Sequence, residues 1–298
     1  MKLVKSRRIL LIIFIIALAL PCPSPAAELA SASTAPAGSP LPLEQLLTPA
    51  QPNTSMEEEP AVPAGSGASR SSAQRRKKNK GLSLSQLVRK YPETLKTQGP
   101  RRKIIALTFD DVPDPRYTPQ LLNVLHKYKV KATFFVVGSR AEKHPALVAR
   151  MIREGHAVGN HSYNHPEFSK VSMNEFRTQI IRTENIIQLL AGYKPKLIRP
   201  PYGDISEPQL KWAKSHGYKL VNWNVDSLDW RGLSKAQVKN NILSRAGRGA
   251  IILQHGGGGR GSNLQGSLQA LPEIISSLRK RGYSFVTVPQ MLQVSKSK

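Results

Sequence analysis

The sequence predicts an α/β fold with a mainly parallel sheet, and three observations carry that prediction. From about residue 103 onward, short apolar runs alternate with helical periods, and seven such alternations imply strands joined by helical crossovers. Gly155, Gly217 and Gly282 each stand where a helix would end before the next strand. Residues able to carry chemistry (Asp110, His161, Arg199, Asp226 and His255) follow directly on strand-like runs. Either a barrel or an open doubly wound sheet satisfies the alternation. Convergence of that many strand ends on one spot is what a closed barrel offers.

Taken in order, the chain begins with a basic leader (Lys2, Lys5, Arg7, Arg8) and an unbroken apolar run, Ile9 to Leu20, that stops at Pro21. That run falls short of the roughly 20 residues a bilayer span needs, so residues 1–26 read as a signal peptide or, if uncut, an N-terminal membrane anchor. Small-residue cleavage sites follow at Ser24-Pro25-Ala26 and Ala30-Ser31-Ala32. The mature chain is therefore expected outside the cytoplasmic membrane, secreted or anchored at its outer face or the cell wall. Cys22 is the only cysteine, so no intrachain disulfide forms. Residues 27–82 shift to Ala, Pro, Ser, Gly and Gln and are expected to be a disordered linker. Residues 83–99 have a weak helical period and lead into a folded domain at 100–293.

Within that domain the expected strands are Ile104–Phe109, Ala132–Val137, Ala157–Gly159, Lys196–Arg199, Lys219–Val221, Ala250–Gln254 and Ser284–Val286. Helices are expected between them near 118–128, 145–154, 174–191, 206–216, 235–244 and 268–281. An apolar content of 40% suits one soluble core of roughly 200 residues plus tails.

Charge bounds the partners. The chain carries a formal net charge of +25, and from Arg101 onward 31 basic residues face 13 acidic ones, so most of the excess lies on the folded part. Such a field draws polyanions. No helix-turn-helix, zinc-finger or aromatic RNA-binding signature accompanies it, so nucleic acid is not expected as a partner. An exported chain meets anionic wall polymers or a membrane surface instead.

Asp110 and Asp111 close the first strand, and His161-x-x-x-His165 follows about fifty residues on. A divalent-metal hydrolase needs ligands for the ion and a separate base for the proton of its water, and this set has a carboxylate to spare. Neighbours on a regular strand point oppositely, so the two aspartates share a site only where the strand ends or is distorted. Pro166 disfavours helical geometry at His165 and places that pair on a loop. Alone, each element has a plainer reading: a capped strand-end turn for Asp-Asp, core or surface histidines for HxxxH, a surface arginine before a proline turn for Arg199, a satisfied histidine for His255.

Five segments in order remove that ambiguity. Thr108-Phe109-Asp110-Asp111, His161-Ser162-Tyr163-Asn164-His165, Arg199-Pro200-Pro201-Tyr202-Gly203, Asp226-Ser227-Leu228-Asp229-Trp230 and Leu253-Gln254-His255 resemble the five motifs of the polysaccharide deacetylases, carbohydrate esterase family 4 or NodB homology domain. The resemblance spans about residues 100–293 and implies a distorted (β/α) barrel. It implies that Asp111, His161 and His165 bind a divalent metal; two imidazoles and a carboxylate suit zinc best, though cobalt, nickel or iron accept the same donors. It makes Asp110 the general base, with Arg199 keeping it ionised, and the Tyr202 backbone N–H an oxyanion donor worth about 2.7–4 kcal/mol. His255 becomes the general acid with Asp229 as its partner, and Pro201, Trp230 and Leu253 wall the acetyl pocket. Trp212 and Trp223 match no motif and read as packing.

One departure is the run Gly256-Gly257-Gly258-Gly259-Arg260-Gly261, which lacks the end of a phosphate loop and reads as a mobile site-edge loop; Arg260 is a candidate contact for an anionic substrate. The implied activity is removal of N-acetyl groups from N-acetylglucosamine in an acetylated wall glycan, most readily peptidoglycan. Deacetylation of N-acetylmuramic acid or chitooligosaccharides and O-acetyl xylan esterase activity are the nearest alternatives. A non-catalytic wall-glycan-binding protein is the alternative of another class.

Overall fold

Period-two alternation along β2 (Ile104–Val112) sorts its side chains into two environments. Ile105, Leu107 and Phe109 face the surrounding helices, whereas Ala106 joins an inner cluster with Phe135, Leu197, Val221 and Ile251. Thr108 and Asp110 continue that inner row, both accepting hydrogen bonds from the Arg199 guanidinium. The same alternation along β8 (Ala250–His255) puts Ile252 outside and Ile251 inside, with Leu253 and His255 following on the inner face. Chemistry-bearing residues thus reach one interior because they sit an even number of positions from inner apolar ones.

The computed structural model describes residues 81–298. After α1 (Leu84–Lys90) and β1 (Leu95–Lys96), β2 leads to α2 (Thr118–Lys127), β3 (Thr133–Val136), α3 (Gly138–Lys143), α4 (Pro145–Arg153) and β4 (Ala157–Asn160). Then come α5 (Met173–Ala191), β5 (Leu197–Ile198), α6 (Glu207–Ser215), β6 (Lys219–Val221), β7 (Val225–Asp226) and α7 (Lys235–Leu243). After β8 the chain forms α8 (Gln265–Lys280), β9 (Ser284–Phe285) and α9 (Val288–Leu292). The strand order is β1-β6-β5-β4-β3-β2-β8-β7, with β9 beside the start of β2, and every ladder is parallel. No ladder joins β1 to β7 among the described residues, so the sheet curls into an incomplete barrel ringed by helices. The predicted distorted (β/α) barrel is the architecture observed.

Packing explains the curl. Gly159 lies where a Cβ would stand 2.8 Å from the Phe135 ring, so only a glycine lets β4 approach the inner cluster. Val288 and Met291 of α9 fill that cluster, and the main outer core packs α2, α4, α7 and α8 against β2, β3 and β8. Gly155, Gly217 and Gly282 take left-handed φ values of 78, 76 and 81°, as helix-terminating glycines do.

The observed domain is longer than residues 100–293. Leu87 and Leu95 are fully buried, β1 pairs with β6, and Lys296 and Lys298 hydrogen-bond the backbone of Lys196 and Lys194. The lead-in is therefore part of the fold. The leader and the linker expected at 1–26 and 27–82 lie outside those residues, apart from Gly81 and Leu82. No helix among the described residues is long and apolar enough to cross a membrane.

Candidate active site

A cleft of about 600 Å³ opens at the C-terminal ends of the strands, lined by Asp110, Asp111, His161, His165, Tyr202, Trp230, Leu253 and His255 among others. Asp110 is in register with His255 across the β2–β8 ladder. Register with β3 then shifts between Phe109 and Val112, and Asp111 adopts a left-handed φ of 60°. That bulge turns both neighbouring carboxylates to one cleft, the distortion the pair demands. Asp111, Ser162, His165, Tyr202 and Leu228 are five of the seven non-glycine residues with positive φ among those described, so backbone strain is concentrated at this cleft.

The two histidines lie on the loop after β4. Ser162 donates its N–H to Asn160 Oδ1, and Tyr163 and Asn164 donate theirs to Gln179 Oε1 on α5. The His161 and His165 ring centroids are 4.9 Å apart, and ligand atoms of Asp111, His161 and His165 all fall within 4.8 Å of one another. His161 Nδ1 lies 2.7 Å from the Arg199 carbonyl, which can only accept, so the proton sits on Nδ1 and the Nε2 lone pair faces the cleft. Burial and the neighbouring His165 push the His161 imidazolium down to about 3, leaving the ring neutral as a ligand must be. Asp111 Oδ1 is buried without a hydrogen-bond partner, 3.3 Å from His165 Nε2 and 3.7 Å from His161 Nε2. An orphaned carboxylate oxygen facing two imidazole nitrogens fits a divalent cation.

Asp110 stands beside this set but is otherwise engaged. Its Oδ1 accepts from Arg199 Nη1 at 2.8 Å, while Oδ2 lies 3.7 Å from His161 Nε2. Arg199 is completely buried, donates also to Thr108 Oγ1 and to the Val221 and Asn222 carbonyls, and stacks over Phe135 at 4.2 Å. Burial drives the Asp110 carboxyl above its ordinary range, and Arg199 and His255 pull it back. A carboxylate so placed is a stronger base than one in water.

Across the cleft, His255 Nδ1 donates to Asp229 Oδ1 at 2.8 Å, and the same carboxylate accepts from the His255 backbone N–H and the Ser267 hydroxyl. Burial alone would lower the His255 pKa, but the Asp229 charge and hydrogen bond outweigh it and raise it to about 9. Leu253 is buried at the floor of the cleft, whereas Trp230 and Tyr202 are 56% and 68% exposed at its rim. The Tyr202 ring meets His165 edge-on at 4.9 Å. Pro201 is buried in the turn below and does not line the cleft.

Several residues here escaped sequence reasoning. Trp223, read as packing, also lines the cleft, whereas Trp212 is half-buried and packs against Phe176 and Tyr218 away from it. The glycine run is not a free loop: a Cβ on Gly257 would stand 2.1 Å from the Asp111 carbonyl, and one on Gly256 2.5 Å from Val112. Asp114, Arg116 and Arg140 pin it. Arg140 donates to the carbonyls of Asp111 (2.8 Å) and Gly258 (3.0 Å), and Arg116 binds the Asp114 carboxylate with two nitrogens while reaching Gly258 and Gly259. Asp114 and Arg116 lie three and five residues beyond the first motif and carried no pattern of their own in the sequence. Because Arg140 holds the backbone of Asp111, Arg140→Met is predicted to weaken any binding of a divalent cation at this set about 10- to 100-fold while the domain stays folded, as a divalent-cation titration beside a thermal melt would read out.

Comparison with known proteins gives these residues a context. The sequence profile of polysaccharide deacetylases matches residues 97–221. A peptidoglycan-N-acetylglucosamine deacetylase of Bacillus cereus is 50% identical over 201 residues, covering 67% of this chain and 72% of that protein. The peptidoglycan-N-acetylmuramic acid deacetylase PdaC of Bacillus subtilis is 41% identical over 202 residues, 68% of this chain but 41% of PdaC. The crystal structure of the peptidoglycan N-acetylglucosamine deacetylase Bc1960 superposes with a TM-score of 0.69 at 47% identity, covering 73% of this chain and 100% of that one.

Proposed function

Because this chain belongs to the polysaccharide deacetylase family and so is a carbohydrate esterase, a hydrolase, we propose that it removes the N-acetyl group from N-acetylglucosamine in peptidoglycan, using a zinc ion held by Asp111, His161 and His165. The observation that carries this reading is one cleft holding three potential ligands with an orphaned Asp111 oxygen, a carboxylate paired with a buried arginine, and a histidine held by the Asp229 carboxylate opposite. Acetylated wall glycan as partner follows from what the most similar relatives act on, and an exported location from the leader.

When bound, the ion supplies a Lewis acid that polarises the acetyl carbonyl and lowers the pKa of water. Asp110 Oδ2, on the cleft side of the carboxylate, accepts the proton of the attacking water, while Oδ1 stays tied to Arg199. Arg199 is thus a positioning residue that keeps Asp110 ionised and aimed. The backbone N–H of Tyr202, in its left-handed turn, is the donor assigned to the oxyanion, so Tyr202→Ala leaves the donor in place. His255 then gives its proton to the departing amine nitrogen, since Nδ1 is committed to Asp229 and Nε2–H is free for transfer. Leu253 floors the acetyl pocket, and Trp230 and Tyr202 offer exposed aromatic faces to the sugar rings.

The pH dependence follows with a definite sign. His255 acts protonated, so turnover should fall as pH rises through about 9. Asp229→Asn removes the charge that raises this pKa, and the alkaline limb should move toward the ordinary imidazole value of about 6.5. Stability shares the sign: the folded pKa lies above the unfolded one, so the pairing's contribution is whole below about 6.5 and lost as pH climbs through about 9. Rate profiles of wild type and Asp229→Asn on one soluble substrate test this.

Digestion of peptidoglycan followed by sugar analysis tests the substrate. Free glucosamine together with released acetate supports the reading. Free muramic amine would transfer it to the N-acetylmuramic acid substrate named for the Bacillus subtilis relative, and turnover of acetyl esters without amides would overturn it.

A further inference from the structure

The end of the barrel opposite the cleft carries an unbalanced positive charge. Lys103 enters β2, Lys127 and Lys129 end α2 and its turn, and Arg279, Lys280 and Arg281 end α8, so all six lie at the N-terminal ends of the strands. All six are exposed. None is ion-paired among the described residues, whereas Lys90, Lys170, Lys194, Lys235 and Lys239 on other parts of the domain are.

These cations form one patch. Lys103 Nζ donates to the Arg281 carbonyl at 3.4 Å, and Arg279 Nη2 donates to the Tyr128 carbonyl at 2.7 Å, which ties the three segments together. Cations in the last turns of α2 and α8 complement the negative helix ends. That accounts for Lys127, Arg279 and Lys280, and for Arg281, whose Nη1 donates to the Leu243 carbonyl at the end of α7 (2.6 Å), but not for Lys103 and Lys129 in the turns beyond. Lys103 and Asp110 are seven residues apart on one strand, about 23 Å at roughly 3.3 Å per residue, so the patch and the catalytic carboxylate lie at opposite ends of the barrel.

We propose that this base is a docking face for an anionic phospholipid bilayer, which holds the domain with its cleft turned away from the lipid and toward the glycan. A bilayer is favoured over a polyanionic strand because the cations are spread over three chain segments rather than strung along one groove. It is also the surface that a chain bearing the apolar run Ile9–Leu20 meets first. No exposed large apolar side chain lies in these segments, so binding is electrostatic and peripheral, without insertion. Each lysine or arginine near such a surface contributes about fivefold in partition, and the effect is screened by salt.

Residues 81–298, which build their own core, can be sedimented with vesicles of phosphatidylcholine containing increasing phosphatidylglycerol. Partition should rise steeply with the anionic fraction and collapse at high salt. K103Q/K127Q/K129Q/K280Q, which leaves the carbonyl-bound Arg279 and Arg281 in place, should lose about 100-fold or more. A control of equal charge change away from the base, K143Q/K170Q/R177Q/K235Q, should lose under about fivefold if those faces stay off the lipid. An unchanged melting temperature and unchanged turnover of a soluble acetylated oligosaccharide would show that both variants are folded. Equal loss in the two variants would overturn the proposal in favour of diffuse net charge. Binding to soluble polyphosphate but not to vesicles would overturn it in favour of a polymer, and binding to neither would leave the base without this role.

Discussion

Asp110→Asn should lower turnover by about 100- to 10,000-fold, the usual contribution of a positioned base, while leaving zinc affinity essentially unchanged. Asparagine is nearly isosteric and can still accept from Arg199 through Oδ1, so the hydrogen bond survives while the proton acceptor and its negative charge are lost. The same substitution has a second consequence. Arg199 is completely buried and Asp110 is its only ion-pair partner among the described residues. Removing that charge strands a guanidinium in the core, at a cost of about 3–5 kcal/mol. The variant should therefore melt well below wild type, and rates must be compared below its transition. A variant that keeps near-normal turnover would remove Asp110 from the proton path.

Asp111→Ala should abolish both zinc binding and turnover. It deletes the orphaned buried oxygen and leaves two imidazoles, too few for the three protein ligands usual in catalytic zinc sites. Losing the carbonyl polarisation that a metal supplies costs several kcal/mol of barrier, on the order of a thousandfold in rate or more. Unlike Asp110→Asn, this variant should lose only a little stability, since the orphaned carboxylate oxygen has no hydrogen-bond partner and the cost is that of alanine at a φ of 60°. The contrast is the diagnostic: neighbouring aspartates, one variant that binds zinc without turning over and one that does neither. Equal zinc affinity in the two would contradict the division of labour.

Much of this architecture was legible because it is periodic or chemical. Helices at Thr118–Lys127, Pro145–Arg153 and Met173–Ala191 lie within a residue of the expected positions, since each pairs a clear 3.6 period with a recognisable end. The short elements were not legible. β1 and β7, unlike the equally short β5 and β9, each offer only one apolar residue (Leu95, Val225) between polar neighbours, and α3 is a six-residue stretch without an apolar stripe. α9 carried a readable signal, Thr287 with Gln290 as a capping box, but only five helical residues follow it.

At the site, the motif residues were found because their types and order are restrictive, and the bulge at Asp111 was required by two adjacent carboxylates facing one cleft. The clamp made by Asp114, Arg116 and Arg140 stayed hidden because its work is done on backbone carbonyls, which no side-chain pattern announces. Trp223 was missed for a related reason: one ring both packs in the inner cluster and borders the cleft. The same structure shows why the glycine run is glycine, through the approach of Gly257 to the Asp111 carbonyl, a long-range contact invisible in sequence.

The most direct test is acetate release from peptidoglycan by residues 81–298 after chelation, with zinc then added back, run beside Asp110→Asn. The account predicts that chelation silences wild type, that zinc restores it with glucosamine appearing in the glycan, and that Asp110→Asn binds the added zinc and stays silent. Full activity in the chelated protein, or a wild type that binds zinc and glycan yet releases no acetate, would contradict it.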